Sequence, residues 1–425
     1  MLTTVLCGMF VACMAGIVAT APDDKKLNSH TELKDIKGEG VTVSKNVQLS
    51  VNQCNEHILM VAPSGSGKSR RFIMPNVNTL KNCSIVVTDP SGEIQKSCNP
   101  DKFEYVFNPF SSTSIGYDPL RCCRNEFEVR KMAKVILTNG MSKSDNGHQQ
   151  EWVDMATPLL SAYMLANYYT HKYTFDELIR NICTANILPT KKRPNESILH
   201  EILESGSESA RTEFDSFLQV VGASQTLSSI RIVMNTCLQV FMDPVVKQLF
   251  HKPLFDFNKL RHSDVILYIQ IPERHSEYFS PLTATFLTQM IDYLLDSSGN
   301  QIYMMLDEFT NIGKIPDMCK LLATARKHKL SIIAAIQSLT QLYRVYGDVD
   351  GKELHELFKT ILICSGLRDS AEYISKIIGT KKSDGSITPI MTEDEIRTMS
   401  KDEVIVICDN KKPVMDKLQP IYVGS

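Results

Sequence analysis

Three textures of apolar and polar positions follow one another along the chain. The first is Leu2 to Ala21, a run of twenty residues without a charge. A helix of that length spans roughly 30 Å, the thickness of a bilayer's hydrocarbon core. No basic residue precedes the run, so a membrane anchor is expected in preference to a cleaved signal. Lys25, Lys26, Lys34 and Lys37 follow it, a lysine excess that places the remaining body on the cytoplasmic side of a cell membrane. Residues 22–40 are polar and charged and read as a linker.

The second texture is the short β-branched run. His57 to Ala62, Ser84 to Thr88 and Glu104 to Phe107 are expected to be buried parallel strands. Similar runs return at Asp264–Ile271, Gln301–Leu306, Leu330–Ile336, Thr360–Cys364 and Val404–Cys408, most of them separated by helical patterns. That alternation predicts an α/β fold. The third texture lies between. From 124 to 231 apolar residues recur at helical spacing, as in Met155, Leu159, Leu160, Tyr163 and Met164, and in Phe214, Phe217, Leu218 and Val221. An all-helical insertion is expected there, dividing a nucleotide-binding domain into 41–123 and 232–425.

Composition narrows this picture only a little. The chain has 425 residues, 43% hydrophobic and 22% charged, with a net charge of −2. It is long enough for two or three domains and too apolar to be disordered. The near-neutral balance excludes a global basic field, so any nucleic acid must be held by local patches or an oligomeric channel. Twelve cysteines include no C-x-x-C pair, which argues against a zinc ribbon or a disulfide scaffold.

Chemistry enters at Ala62-Pro-Ser-Gly-Ser-Gly-Lys-Ser69, which has Walker A spacing with Ala62 in place of the first glycine. Gly65 and Gly67 permit the tight, positive-φ turn that aims backbone amides at an anion. Lys68 would reach the β/γ-phosphates, and the Ser69 hydroxyl would ligate Mg²⁺. Arg70 to Met74 is expected to open a helix whose N-terminus faces the phosphates.

A second acidic element, Asp307-Glu308, ends the apolar strand at Leu306. Ligands gather at that end of a parallel sheet. Asp307 is expected in the metal shell, and Glu308 as the group that orients or deprotonates water. Gln337, at the end of the next strand, is a sensor of the γ-phosphate or part of a helix-capping turn. Arg326 is either an arginine finger offered to a neighbouring subunit or a solvated basic helix end.

These residues resemble a known family. Ala62–Ser69, Thr88-Asp-Pro-Ser-Gly-Glu-Ile94, Asn108-Pro-Phe110, Tyr117-Asp-Pro-Leu120, Leu306–Met318, Ala325-Arg-Lys327 and Ile336–Gly347 stand in the order seen in TraG/TraD-type coupling proteins of type IV secretion and conjugation. Ile374–Gly379 and Met391–Ile396 are similar to that family's late helix and following strap. The resemblance implies a RecA-like P-loop ATPase related to FtsK and HerA motors, with ATP and Mg²⁺ as cofactors. It implies a membrane-anchored homo-hexamer beneath a secretion channel, receiving relaxase-bound single-stranded DNA. By motif position, Lys68, Ser69, Asp307, Glu308, Gln337 and Arg326 carry binding, hydrolysis, sensing and the contact between subunits. Ala62, Pro63, Ser64, Gly65, Ser66 and Gly67 form the phosphate loop. Asp89 lines the nucleotide pocket in the family motif, although a strand-end Asp also serves as a turn residue.

Three departures accompany the resemblance. One membrane segment at most is expected where the family has two. Ala62 replaces Gly. The chain ends soon after its last expected strand, so no extended recruiting tail is expected. Candidate DNA contacts are Lys191-Lys192-Arg193 and Arg344 with Tyr343 and Tyr346. Alternative readings are an FtsK/HerA-like DNA pump outside conjugation and a non-hydrolysing docking receptor.

Overall fold

The computed structural model describes residues 38–141, 149–221, 224–367, 370–383 and 386–423. The expected membrane segment 1–21 and nearly all of the linker 22–40 lie outside the described residues. Among the described residues no helix is long and apolar enough to cross a membrane.

The strand runs condense into one nine-stranded sheet. Its strands are β1 (Ile58–Val61), β2 (Cys83–Thr88), β3 (Phe103–Phe107), β4 (Val265–Ile269), β5 (Gln301–Leu306), β6 (Leu330–Ile336), β7 (Thr360–Cys364), β10 (Glu403–Cys408) and β11 (Val414–Lys417), in the order β11-β10-β7-β1-β6-β5-β2-β4-β3. β7 through β3 in that order are parallel. β10 joins β7 antiparallel and β11 joins β10 antiparallel. A separate small hairpin pairs β8 (Thr380–Ser383) with β9 (Ser386–Pro389).

Strands buried on both faces need apolar residues at every position, and these have them. Leu59, Val61, Met304, Leu306, Ala334 and Ile336 face one core. Ile58, Met60, Ile85, Tyr303, Met305 and Ile333 face the other, against Phe72, Ile73 and Val77. The expectation that Glu104 to Phe107 is buried holds only at its end. β3 is the sheet's outer strand, so Phe103 and Glu104 are exposed and Phe107 alone is fully buried.

Between β3 and β4 the chain is helical, with the long helices Glu126–Gly140, Gln149–Thr170, Glu208–Val220 and Ser224–Leu238. Ser224–Leu238 runs straight through the expected boundary at 231/232, and the strand texture returns only at Val265. Leu159, Leu160, Tyr163, Met164, Phe214 and Phe217 are buried as their spacing predicts, whereas Leu218 is exposed. Helix Ser276–Asp296 packs on Glu126–Gly140, so the helical segment shares one continuous core with the sheet.

Candidate functional site

β1, β6, β5 and β2 are spatial neighbours and parallel, so the segments leaving their C-terminal ends meet at one edge. These segments are Ala62–Ser69, Gln337, Asp307-Glu308 and Thr88-Asp89. Ala62 extends the ladder, its N–H donating to Ile336 O at 2.9 Å. The loop then turns through Gly65 (φ 76°) and Gly67 (φ 91°), with Ser66 N–H donating to Pro63 O at 3.2 Å. Side-chain-bearing residues are disfavoured at both angles. Pro63 and Ser64 complete the turn.

A helix follows the loop, as expected, but its first turns, Lys68–Ile73, are wound wider than an α-helix, with Met74 N–H donating to Ser69 O. Pro75 explains this locally. It has no N–H to donate and its ring crowds the preceding turn.

Five predicted side chains interlock. Lys68 is only 7% exposed, and its ammonium pairs with Glu308 Oε1. Ser69 Oγ donates to Asp307 Oδ2 at 2.6 Å. Gln337 Nε2 donates to Glu308 Oε2 at 3.0 Å. Glu308 sits in the left-handed region (φ 54°, ψ 50°), an unfavourable conformation for a glutamate and one that clusters at functional sites. Burial pushes the Asp307 carboxyl above its ordinary pKa, against the Ser69 hydrogen bond and the Lys68 charge. A buried carboxylate under that desolvation is relieved by added positive charge.

Two predicted residues stand apart. Asp89 does not offer its carboxylate to this cluster. It accepts from the N–H groups of Ile94 (3.1 Å) and Gln95 (3.0 Å) and from Gln270 Nε2 (3.4 Å), at the start of the helix Glu93–Ser97. These bonds are those of the turn role: amides five and six residues on satisfy the buried carboxylate locally. Arg326 also lies outside the cluster. It precedes β6, at the opposite sheet edge, 63% exposed and paired with Glu56 Oε1 at 2.8 Å. The candidate DNA contact Tyr346 is buried, stacked on Phe309 at 5.7 Å, and is not a surface ring. Lys191, Lys192, Arg193 and Arg344 are exposed.

Sequence reasoning missed the supports. Thr88 Oγ1 donates to Asp307 O at 2.8 Å, fixing the carboxylate's own backbone. Gln341 Oε1 accepts from Gln337 N–H at 3.3 Å and from Thr310 Oγ1 at 3.4 Å, linking the segments after β5 and β6. Gln341 stands four residues after Gln337, a spacing that could have flagged it.

The donor set suits a magnesium-bound nucleoside triphosphate. A hard dication takes oxygen ligands, and Ser69 and Asp307 offer a hydroxyl and a carboxylate already in contact. Inside the loop Ser66 Oγ is buried without a partner, a free donor where a phosphate oxygen fits. A parallel sheet carrying a phosphate loop on β1 and an acidic pair on β5 is the RecA-like P-loop NTPase fold.

Within that class the family is defined by sequence. Residues 20–386 match the family model "Type IV secretory system Conjugative DNA transfer", and the chain belongs to that family. It is 23% identical over 348 residues to protein VirD4 of Agrobacterium fabrum (strain C58 / ATCC 33970), covering 76% of this chain and 49% of VirD4. It is 24% identical over 318 residues to the conjugal transfer protein TraG of Escherichia coli, covering 68% of this chain and 49% of TraG. The chain thus spans about half the length of these relatives. In fold it is similar to plasmid coupling protein TrwB in complex with ADP and Mg²⁺, with a TM-score of 0.73, 19% identity, and coverage of 93% of this chain and 92% of TrwB.

Proposed function

We propose that this chain is the ATPase motor of a conjugative type IV secretion apparatus, moving relaxase-bound single-stranded DNA toward the transfer channel. The observation that carries the reading is the Lys68–Glu308–Gln337 and Ser69–Asp307 interlock at one sheet edge. The likeness to TrwB in complex with ADP and Mg²⁺ supports the same ligand here.

Lys68 exchanges Glu308 for the β/γ-phosphates, and the loop amides of Gly65 to Ser69 close around them. Ser69 and Asp307 would hold Mg²⁺, which would supply charge neutralisation at the phosphate oxygens. Glu308, released from Lys68, accepts the proton of the attacking water, and Gln337 keeps the carboxylate in place through its 3.0 Å hydrogen bond.

Arg326 cannot serve its own site. It lies before the seven-residue β6 and Gln337 after it, a separation of about 23 Å along the strand. In this reading it acts on the nucleotide of a neighbouring subunit in a hexameric ring. Residues 41–123 and 232–425 form the nucleotide-binding domain, 124–231 the helical domain that faces cargo, and 1–21 the anchor of a cytoplasmic body in the cell membrane.

Steady-state ATP turnover of the full chain in detergent tests this, with and without single-stranded DNA. Lys68→Ala is expected to lower nucleotide affinity at least about 100-fold, and Glu308→Gln to bind ATP while losing turnover by about 10²- to 10³-fold. Wild-type turnover by Glu308→Gln overturns the assignment. ATP binding without turnover by the assembled wild type points instead to a docking receptor.

A further inference from the structure

We infer that Arg71 is a positioning residue. It ties the phosphate loop to the open end of the β10–β11 hairpin, so that the seating of this hairpin sets nucleotide affinity. The inference rests on the nucleotide reading of the Lys68 site.

The first observation is a contact within the loop itself. A Cβ at Gly67 would lie 2.7 Å from Arg71 Cδ and 3.0 Å from Arg71 Cγ. The arginine stem therefore lies directly against the loop's last glycine. Arg71 N–H also donates to Gly67 O at 2.7 Å. The absence of a side chain at Gly67 serves this close approach as well as the φ of 91°.

The second observation is where the guanidinium goes. Its acceptors come from more than 300 residues away in sequence. Nε donates to Gln419 O at 3.0 Å, and Nη1 to Lys401 O at 3.2 Å and Asp402 Oδ1 at 2.6 Å. A pair with the exposed Asp402 alone would contribute little. A planar fork holding two backbone carbonyls and a carboxylate at once fixes direction, and lysine cannot reproduce it.

The third observation is that those acceptors belong to one structural unit. Glu403 pairs with Lys417, and Leu418 N–H donates to Asp402 O at 2.8 Å, so Lys401, Asp402 and Gln419 gather at the hairpin's open end. The chain then returns over the loop helix, where Tyr422 N–H donates to Arg70 O at 2.9 Å. The hairpin is anchored independently, since Asp416 accepts from Ser44 Oγ at 2.7 Å and Asn46 N–H at 2.9 Å. Arg71 is thus a strut with one end against the phosphate loop and the other in a fixed unit. Loop amides must converge on the phosphates to well within an ångström, so loosening the strut weakens binding before it slows chemistry.

The test is titration of the full chain in detergent with a fluorescent N-methylanthraniloyl ATP and Mg²⁺, beside the melting temperature without nucleotide and turnover at saturation. Arg71→Met keeps most of the stem and removes the donors. It is expected to raise Kd about tenfold, with turnover at saturation falling no more than about threefold, and Arg71→Lys to recover part of the affinity. A lowered melting temperature with Kd within about twofold of wild type makes Arg71 merely structural and overturns the inference. Should Arg71→Met fail to fold, Arg71→Lys, which keeps the stem and the charge but not the fork, is expected to raise Kd about threefold, and an unchanged Kd overturns the inference equally. A wild-type chain that binds no nucleotide removes the site's own reading, and this one with it.

Discussion

At the residue scale, the molecule places polar groups where burial makes them consequential. His57 is buried beside β1, its Nε2 donating to Leu322 O at 2.8 Å and its Nδ1 accepting from Ile332 N–H at 3.1 Å. Both ring nitrogens are thereby committed to the neutral form. Burial lowers its pKa to about 4, and the Leu322 carbonyl offsets this only in part. Between pH 6.5 and 4 the unfolded chain binds a proton that the folded chain refuses, so stability falls as pH falls through that window. The loss at pH 5 relative to pH 7 is about 2 kcal/mol. His57→Asn, which tolerates the position's positive φ of 68°, is expected to flatten that slope in urea unfolding at the two pH values. An equal slope in variant and wild type would refute the assignment. The side chains of the candidate site follow the same logic. Their types and spacing marked Lys68, Ser69, Asp307, Glu308 and Gln337 in the sequence, because phosphate and metal chemistry demands those groups. That Lys68 pairs with Glu308 was not legible, since the contact joins residues 240 positions apart.

At the element scale, ends of helices and strands decide more than their interiors. Helix Ser276–Asp296 ends against Arg261, which is fully buried. Among the described residues no carboxylate pairs with it. Its guanidinium donates to Leu294 O, to Asn300 O at 3.0 Å and to Ser297 Oγ at 3.4 Å, filling the acceptors that the helix end leaves open. Desolvation lowers its pKa to about 10, which still leaves it charged at neutral pH. Arg261→Met is expected to cost about 3 kcal/mol in equilibrium unfolding, because buried carbonyls lose their donors. A cost below about 1 kcal/mol would mean that water replaces the arginine. The eight runs were legible as strands because each is short and largely apolar, and most are rich in β-branched residues. β11 and the β8–β9 hairpin were missed because Val-Met-Asp-Lys and Thr-Lys-Lys-Ser carry no such signal. Likewise, Asp89 fits a family motif in sequence, yet its carboxylate is spent on the Ile94 and Gln95 amides in the turn that opens helix Glu93–Ser97.

At the scale of the whole molecule, the parallel sheet separates the interlocked cluster from Arg326. The interlocked cluster lies at the C-terminal edge and the exposed Arg326 at the other, held by Glu56. If Arg326 is the proposed finger, its displacement by a strand's length requires a second subunit to complete the site. Specific ATP turnover is therefore expected to rise with protein concentration, and Arg326→Ala to lower it about 10³-fold while leaving nucleotide binding in place. Mixing Arg326→Ala with Glu308→Gln chains checks the arrangement directly. Recovery of turnover requires that a neighbour's Arg326 serve a subunit whose Glu308 is intact. Turnover independent of concentration in the wild type would place a complete site within one chain.

The sequence alone marked eight of the strands, where helices gather, and which residue types suit phosphate and magnesium. Local patterns suffice there, because apolar periodicity reports burial and a glycine-lysine-serine loop reports anion geometry. Strand order was decided only by the tertiary structure. That order sets β1, β6, β5 and β2 side by side and so brings Ser69 to Asp307 and Gln337 to Glu308. It also turned β10 antiparallel, left β3 at the edge and carried Gln419 back onto Arg71. Those outcomes depend on packing between residues remote in the chain, and no local pattern encodes them.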